Sequence, residues 1–182
     1  TQTGSDIHWI SVSTTYNSSA AIDQNGVLWK WGHNDFGQLG NGISGNQTSP
    51  VQTNGTNWDR ISAGNSHVIA LKPDNTLWAW GDNTYGQIGI GSTQNQETQK
   101  QIDDDLWLTV DAKGAHTLGI KIEDTDRTLW AWGYNGFGQL GDNTTGLKNV
   151  PIKVNTPYND WQSVIAGLGR SFAIRSNGTL WA

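Results

Sequence analysis

Leu77-Trp78-Ala79-Trp80-Gly81-Asp82-Asn83-Thr84-Tyr85-Gly86-Gln87-Ile88-Gly89 is written three times in this chain with small changes, at Leu28–Gly40, Leu77–Gly89 and Leu129–Gly141, and begins again at Leu180-Trp181-Ala182. Its two tryptophans stand two apart, which puts both on one face of an extended strand. A short apolar run such as Ile69-Ala70-Leu71 precedes each copy, separated from it by turn residues: Asp23-Gln24-Asn25-Gly26, Pro73-Asp74-Asn75, or Ser176-Asn177-Gly178. Asn-Gly between apolar runs marks a hairpin, because its central positions need positive φ.

All eleven tryptophans belong to this pattern. They form the series Trp9, Trp58, Trp107, Trp161; the series Trp29, Trp78, Trp130, Trp181; and the series Trp31, Trp80, Trp132, with steps of 49 to 54 residues. No stretch has the period of an amphipathic helix. Four-stranded antiparallel units repeated at this period predict an all-β chain of propeller blades. The repeats run over 6–56, 57–105, 106–159 and a truncated 160–182, about three and a half units within a single segment 1–182. Trp29, Trp78 and Trp130 are expected to be buried between strands as structural residues of the repeat.

Nine residues after each tryptophan of the first series stand Ser18, His67, His116 and Arg170. The Trp-x-Trp-Gly strand, the Asn-x-aromatic-Gly-Gln-Leu-Gly loop and the Ala-Gly-x-x-His strand together resemble the regulator of chromosome condensation repeat, over essentially the whole chain. That resemblance implies a seven-bladed β-propeller, of which this chain is about half a ring, closest in style to secreted bacterial members. Ser18 and Arg170 depart from the family's His column, and Lys113 stands where Gly is usual. Half a ring is expected to leave open strand edges at Thr1 and Ala182, so the segment is expected to continue into more repeats or to pair with another copy.

Most candidate chemistry reduces to scaffold. His67 and His116 recur one repeat apart, and a repeated position argues for a structural hydrogen bond from the ring to an adjacent loop rather than for metal ligation or catalysis. Gly37, Gly86 and Gly138 hold the same loop position and are read as structural. Gly40-Asn41-Gly42-Ile43-Ser44-Gly45 has dinucleotide-site spacing, but no helix follows to receive a pyrophosphate. Asp103-Asp104-Asp105 and the acidic turn Glu123–Asp126 lack calcium-loop spacing and read as solvated charges. Sequons at Asn17, Asn46, Asn54, Asn143 and Asn177 matter only in a glycosylating secretory pathway. No catalytic residue, metal or cofactor is expected.

The formal net charge of −5, with Lys+Arg 11 against Asp+Glu 16, argues against nucleic-acid binding, which needs cationic groups against phosphate. The chain has no cysteine, hence no disulfide framework, and no apolar run long enough to insert in a membrane. Its uncharged polar loops read as an extracellular or cell-surface composition. With the constant columns assigned to scaffold, recognition is expected where the copies differ: Tyr16, His33, Asp82 and Tyr134, in loops at strand ends. The expected function is a non-catalytic protein-binding or assembly module whose partner is another protein or further copies of itself. The resemblance also implies two alternatives, a guanine-nucleotide exchange factor-like regulator of a small GTPase and a secreted inhibitor of β-lactamase type.

Overall fold

The computed structural model describes residues 7–43, 45–53, 55 and 57–182; Ser44 of the Gly40–Gly45 motif, the sequon residue Asn54 and the expected edge at Thr1 lie outside the described residues. Those residues form strands and turns without a helix. The first sheet is β1 (Trp9–Thr14), β2 (Ser18–Asp23), β3 (Leu28–Gly32) and β4 (Gln47–Gln52). The second is β5 (Arg60–Ala63), β6 (His67–Leu71), β7 (Leu77–Gly81) and β8 (Gln96–Gln101). The third is β9 (Leu106–Lys113), β10 (His116–Glu123), β11 (Asp126–Gly133) and β12 (Lys148–Lys153). β13 (Trp161–Ala166), β14 (Ser171–Arg175) and β15 (Leu180–Trp181) make the fourth. Strands pair in chain order and antiparallel in every sheet, as in propeller blades.

The Trp-x-Trp-Gly glycine stands at the open end of the hairpin, where the chain leaves the strand. Gly81 pairs with His67 and has φ +100; a Cβ there would lie 2.4 Å from Ser66 O and 2.9 Å from His67 Cα, so no larger residue fits. The next loop is stapled by its own side chains. Asn83 Oδ1 accepts from Ile88 N at 3.0 Å, and Gln87 Oε1 accepts from Tyr85 N at 2.8 Å. Asn34 and Gln38, and Asn135 and Gln139, repeat both bonds.

Sheets pack face to face through apolar side chains, and each contact takes an indole from the later sheet. Trp80 seats against Gly40 of the first sheet and Trp132 against Gly89 of the second, where a Cβ would come within 2.6 and 2.8 Å of the rings. Trp58, Trp80, Trp107, Trp132 and Trp161 are fully buried. Each indole removes roughly 150–250 Å² from water, which at about 25 cal/mol per Å² is about 4–6 kcal/mol gross. The expectation for Trp29, Trp78 and Trp130 is corrected: all three are half-buried. They sit at the hairpin-turn end of each sheet, edge-on to the first tryptophan of the repeat, with the indole N–H reaching the side chain of Asp23, Thr76 or Thr128.

Candidate functional site

The antiparallel order puts the β1–β2, β5–β6, β9–β10 and β13–β14 loops at one end of the sheets, together with the segments leaving β3, β7 and β11. Backbone hydrogen bonds tie them together. His33 N donates to Asn17 O at 2.9 Å, Asp82 N to Ser66 O at 2.9 Å and Tyr134 N to Ala115 O at 2.8 Å. Tyr16 N donates to Asn65 O at 3.0 Å and Asn65 N to Gly114 O at 2.8 Å, carrying the arc from sheet to sheet. Tyr16, His33, Asp82 and Tyr134 therefore share one loop face.

Their availability differs. Tyr16 is 83% exposed. The imidazole of His33 lies between Asp35 Oδ2, 2.9 Å from its Nε2, and Gln38 Nε2, 3.0 Å from its Nδ1. Asp82 Oδ1 accepts from Thr84 N at 3.0 Å and Thr84 Oγ1 at 2.6 Å, which turns that carboxylate back into its own loop. Tyr134 is half-buried and packs edge-on between Tyr85 at 4.9 Å and Phe137 at 5.9 Å, ring centre to ring centre.

Sequence reasoning passed over Phe36, Tyr85 and Phe137, the aromatic residues of the stapled loop. Phe137 is 78% exposed and lies against Gly169 of the next sheet, whose neighbour Leu168 is 72% exposed. The missed signal was an aromatic side chain beside a glycine, its backbone N–H held by a glutamine two residues on. Such a loop displays the ring instead of burying it.

The two histidines lie inside, and their partner differs from the expected loop. His67 Nε2 is 3.1 Å from Thr117 Oγ1, a strand hydroxyl of the neighbouring sheet, and Thr117 Oγ1 donates to Gln87 O at 2.9 Å. His116 Nε2 meets Ser171 Oγ at 3.1 Å, and that hydroxyl donates to Gln139 O at 2.6 Å. Each hydroxyl gives its proton to a carbonyl and so accepts from the ring, placing the imidazole proton on Nε2. Burial pushes the pKa of His67 down to about 3 and that of His116 to about 4, so both rings are neutral at pH 7. In the acidic run Asp104 and Asp105 are exposed as expected, Asp105 also pairing with Lys121, whereas Asp103 is half-buried and its Oδ1 accepts from Trp107 Nε1 at 2.9 Å.

The regulator of chromosome condensation (RCC1) repeat model matches residues 25–71, 74–102 and 126–174, well over half of the chain, and a second model of the same repeat matches 58–87. The chain belongs to the RCC1 repeat family. Among solved structures, yeast RCC1 (Prp20) bound to Kap60 superposes with a TM-score of 0.82 at 23% identity, covering 98% of this chain and 44% of that one. Prp20p from Saccharomyces cerevisiae, described with its binding to Gsp1p and histones, gives 0.82, 23%, 98% and 45%. Human WBSCR16 gives 0.82, 19%, 97% and 47%. At these identities the likeness shows the fold, and this RCC1-repeat chain spans under half the length of each structure.

Within the RCC1-repeat chain the three inter-sheet contacts are unequal. At Gly37 and Gly86 a Cβ would strike Glu97 Cα at 2.6 Å and Asn149 Cα at 2.5 Å, on outer strands β8 and β12 of the next sheet. At Gly138 nothing lies within 4 Å. A cavity of about 420 Å³ opens between the third and fourth sheets, lined by Leu140, Gly141, Trp161, Ser171 and Trp181, at the level where Trp80 and Trp132 fill the two earlier contacts. Beside it β15 covers β14 only at Ala173 and Ile174, and Leu180 and Trp181 are exposed.

Proposed function

We propose that the chain is a non-catalytic protein-binding and assembly module, recognising its partner with the loop face. The observation that carries this is the row Tyr85–Tyr134–Phe137, with Leu168 and Tyr16 exposed on the same face. Aromatic side chains are enriched where binding energy concentrates, and apolar groups held outward on a stapled backbone lose little entropy on docking. His33 and Asp82, engaged within their own loops, shape the rim. The solved relatives described with protein partners support this class of reading. The polar, weakly charged surface favours an extracellular or cell-surface setting, tested by recovering the native protein from the culture medium or cell envelope.

The experiment is a partner captured on the immobilised chain and titrated calorimetrically against alanine variants. Replacing Phe137 and Tyr134 together weakens binding by at least tenfold, whereas Asp82→Ala changes it little. Equal affinity for the double variant and the native chain places the contact elsewhere. The assembly half of the proposal rests on the cavity beside β14, which matches an indole delivered on a strand alongside it, from further repeats or from another copy. A compact, cooperatively unfolding monomer of the 182-residue chain at micromolar concentration overturns that half.

A further inference from the structure

At the end of the sheets opposite the loop face, each sheet repeats a pair of rings set edge to face. Trp9–Trp29, Trp58–Trp78, Trp107–Trp130 and Trp161–Trp181 have centroids 6.0, 6.1, 6.3 and 6.4 Å apart and interplanar angles of 81°, 90°, 73° and 84°. Three sheets place a cation of their own at this end. Lys72 Nζ lies 4.3 Å from the centre of Trp78 and 5.2 Å from Trp58, and Lys121 Nζ lies 3.8 Å from Trp130 and 4.8 Å from Trp107. In the fourth sheet Arg175 stacks 3.7 Å over Tyr158, which itself packs on Trp161 and Trp181.

The first sheet reverses the charge. The residue opposite Trp9 is Asp23, in the register that gives Lys121 to Trp107 and Arg175 to Trp161. A second change accompanies it. The indoles of Trp78, Trp130 and Trp181 donate to Thr76, Thr128 and Thr179, but the matching residue before Trp29 is Val27, which cannot accept. Asp23 takes over: its Oδ2 accepts from Trp29 Nε1 at 3.0 Å, and its Oδ1 accepts from Asn25 N at 2.8 Å and Val27 N at 3.1 Å. Burial raises the pKa of Asp23, and these donors outweigh it and hold the group below the ordinary carboxylate value, so it is ionised at neutral pH. The acid meets the edge of the Trp29 indole and leaves its faces without a cation among the described residues; residues 1–6, 44, 54 and 56 contain no Lys or Arg. Trp29 is half-buried, as are Trp78 and Trp130 beneath their lysines.

We propose that Trp9, Trp29 and Asp23 form a seat for a lysine or arginine side chain of a partner protein, a place that the second and third sheets fill with Lys72 and Lys121 of their own. Two indoles supply quadrupole attraction, and the carboxylate supplies opposite charge beside them. The seat is separate from the loop face, so a single partner reaching both would have to span the sheets from end to end.

The test follows the indole N–H resonances of Trp9 and Trp29 by NMR while Nα-acetyl-lysine methylamide is added, with the Nζ-acetylated form as the neutral control. The charged probe shifts both resonances saturably, and the neutral one binds roughly tenfold more weakly. Asp23→Lys with Val27→Thr copies the second and third sheets, so it supplies its own cation and indole acceptor and abolishes the shift in a folded protein. Asp23→Asn keeps an indole acceptor, removes the charge and weakens the charged probe several-fold. Identical shifts from both probes, no shift at millimolar probe, or undiminished binding by the double variant overturns the proposal. A shift of the same resonances with protein concentration alone would assign the seat to another copy of the chain and also overturn it.

Discussion

Between the second and third sheets the carbonyl of Gln87 accepts from Thr117 Oγ1, and the same hydroxyl accepts from His67. Between the first and second, the equivalent carbonyl of Gln38 accepts from Trp80 Nε1 at 3.1 Å and Lys30 Nζ at 3.3 Å. Three columns change together to allow this: Ser18 replaces the histidine, Val68 replaces the hydroxyl, and Lys30 stands where the other copies have Ala79 and Ala131. Ser18 turns its own hydroxyl to Thr15 Oγ1, at 2.6 Å. Lys30 is 1% exposed and lies with its ammonium group 3.5 Å from the centre of the Trp80 ring. In the other contact Thr117 occupies the carbonyl, and Trp132 Nε1 has no acceptor among the described residues. A buried carbonyl must be paired, and which donor pairs it is settled jointly by both sheets. Columns that vary in a repeat are therefore not automatically columns that bind a partner.

The largest effect expected from breaking this comparison is at the indoles. Trp80→Ala and Trp132→Ala each cost about 3–5 kcal/mol in urea unfolding. Trp80→Ala is the more damaging, because it also removes a donor to Gln38 O and the ring beneath the Lys30 ammonium. Equal losses would show that the indole hydrogen bond contributes little.

Acid sharpens the contrast next. His67 and His116 have native pKa values of about 3 and about 4, below the ordinary value near 6.5, so the unfolded chain binds more protons as pH falls through that range. Stability is full above pH 6.5 and declines on acidification, by about 2 kcal/mol per histidine at pH 5. This loss belongs to the contacts that contain the imidazoles. Introducing Ser18→His, Lys30→Ala and Val68→Thr together installs the same relay in the first contact and steepens the decline; an unchanged pH slope would show that the new ring is not buried.

A smaller change is expected at Lys30. Burial lowers its pKa well below the ordinary lysine value, so the unfolded chain holds the proton more firmly and stability rises with pH toward the alkaline range. Lys30→Met is expected to raise stability at pH 7 by on the order of 1 kcal/mol and to remove that rise, since Trp80 Nε1 still satisfies Gln38 O. Thermal melts across pH would check both parts.

The smallest effect extends the comparison to the third contact. Gly86→Ala must push on Asn149 and is strongly destabilising, but Gly138→Ala, with φ +76 and no neighbour within 4 Å, costs only about 1 kcal/mol of backbone strain. A larger loss at Gly138 would show that this loop is already covered in solution.

The repeat, its hairpins and the recurring Gly-Gln-Leu-Gly loop were legible in the order of residues because each depends on neighbours within a few positions, Trp-x-Trp by strand alternation and Asn-Gly by positive φ; the Asn83 and Gln87 bonds inside that loop appeared only in the structure. The sequence alone also separated the constant from the variable columns, and so brought Tyr16, His33, Asp82 and Tyr134 forward. The bonds that engage His33 and Asp82 within their own loops are local but were not read, and the display of Phe137 could not be read, because its exposure depends on what the next sheet places there. Tertiary structure alone decided how the sheets are joined: Ser62 Oγ donates to Asp111 across 49 residues, and His67 meets Thr117 across 50. Local propensity does not carry information over that distance. Only the stacking of one sheet on the next brings those donors and acceptors within reach, and the same stacking buries Trp80 and Trp132 fully while leaving Trp29, Trp78 and Trp130 half-buried.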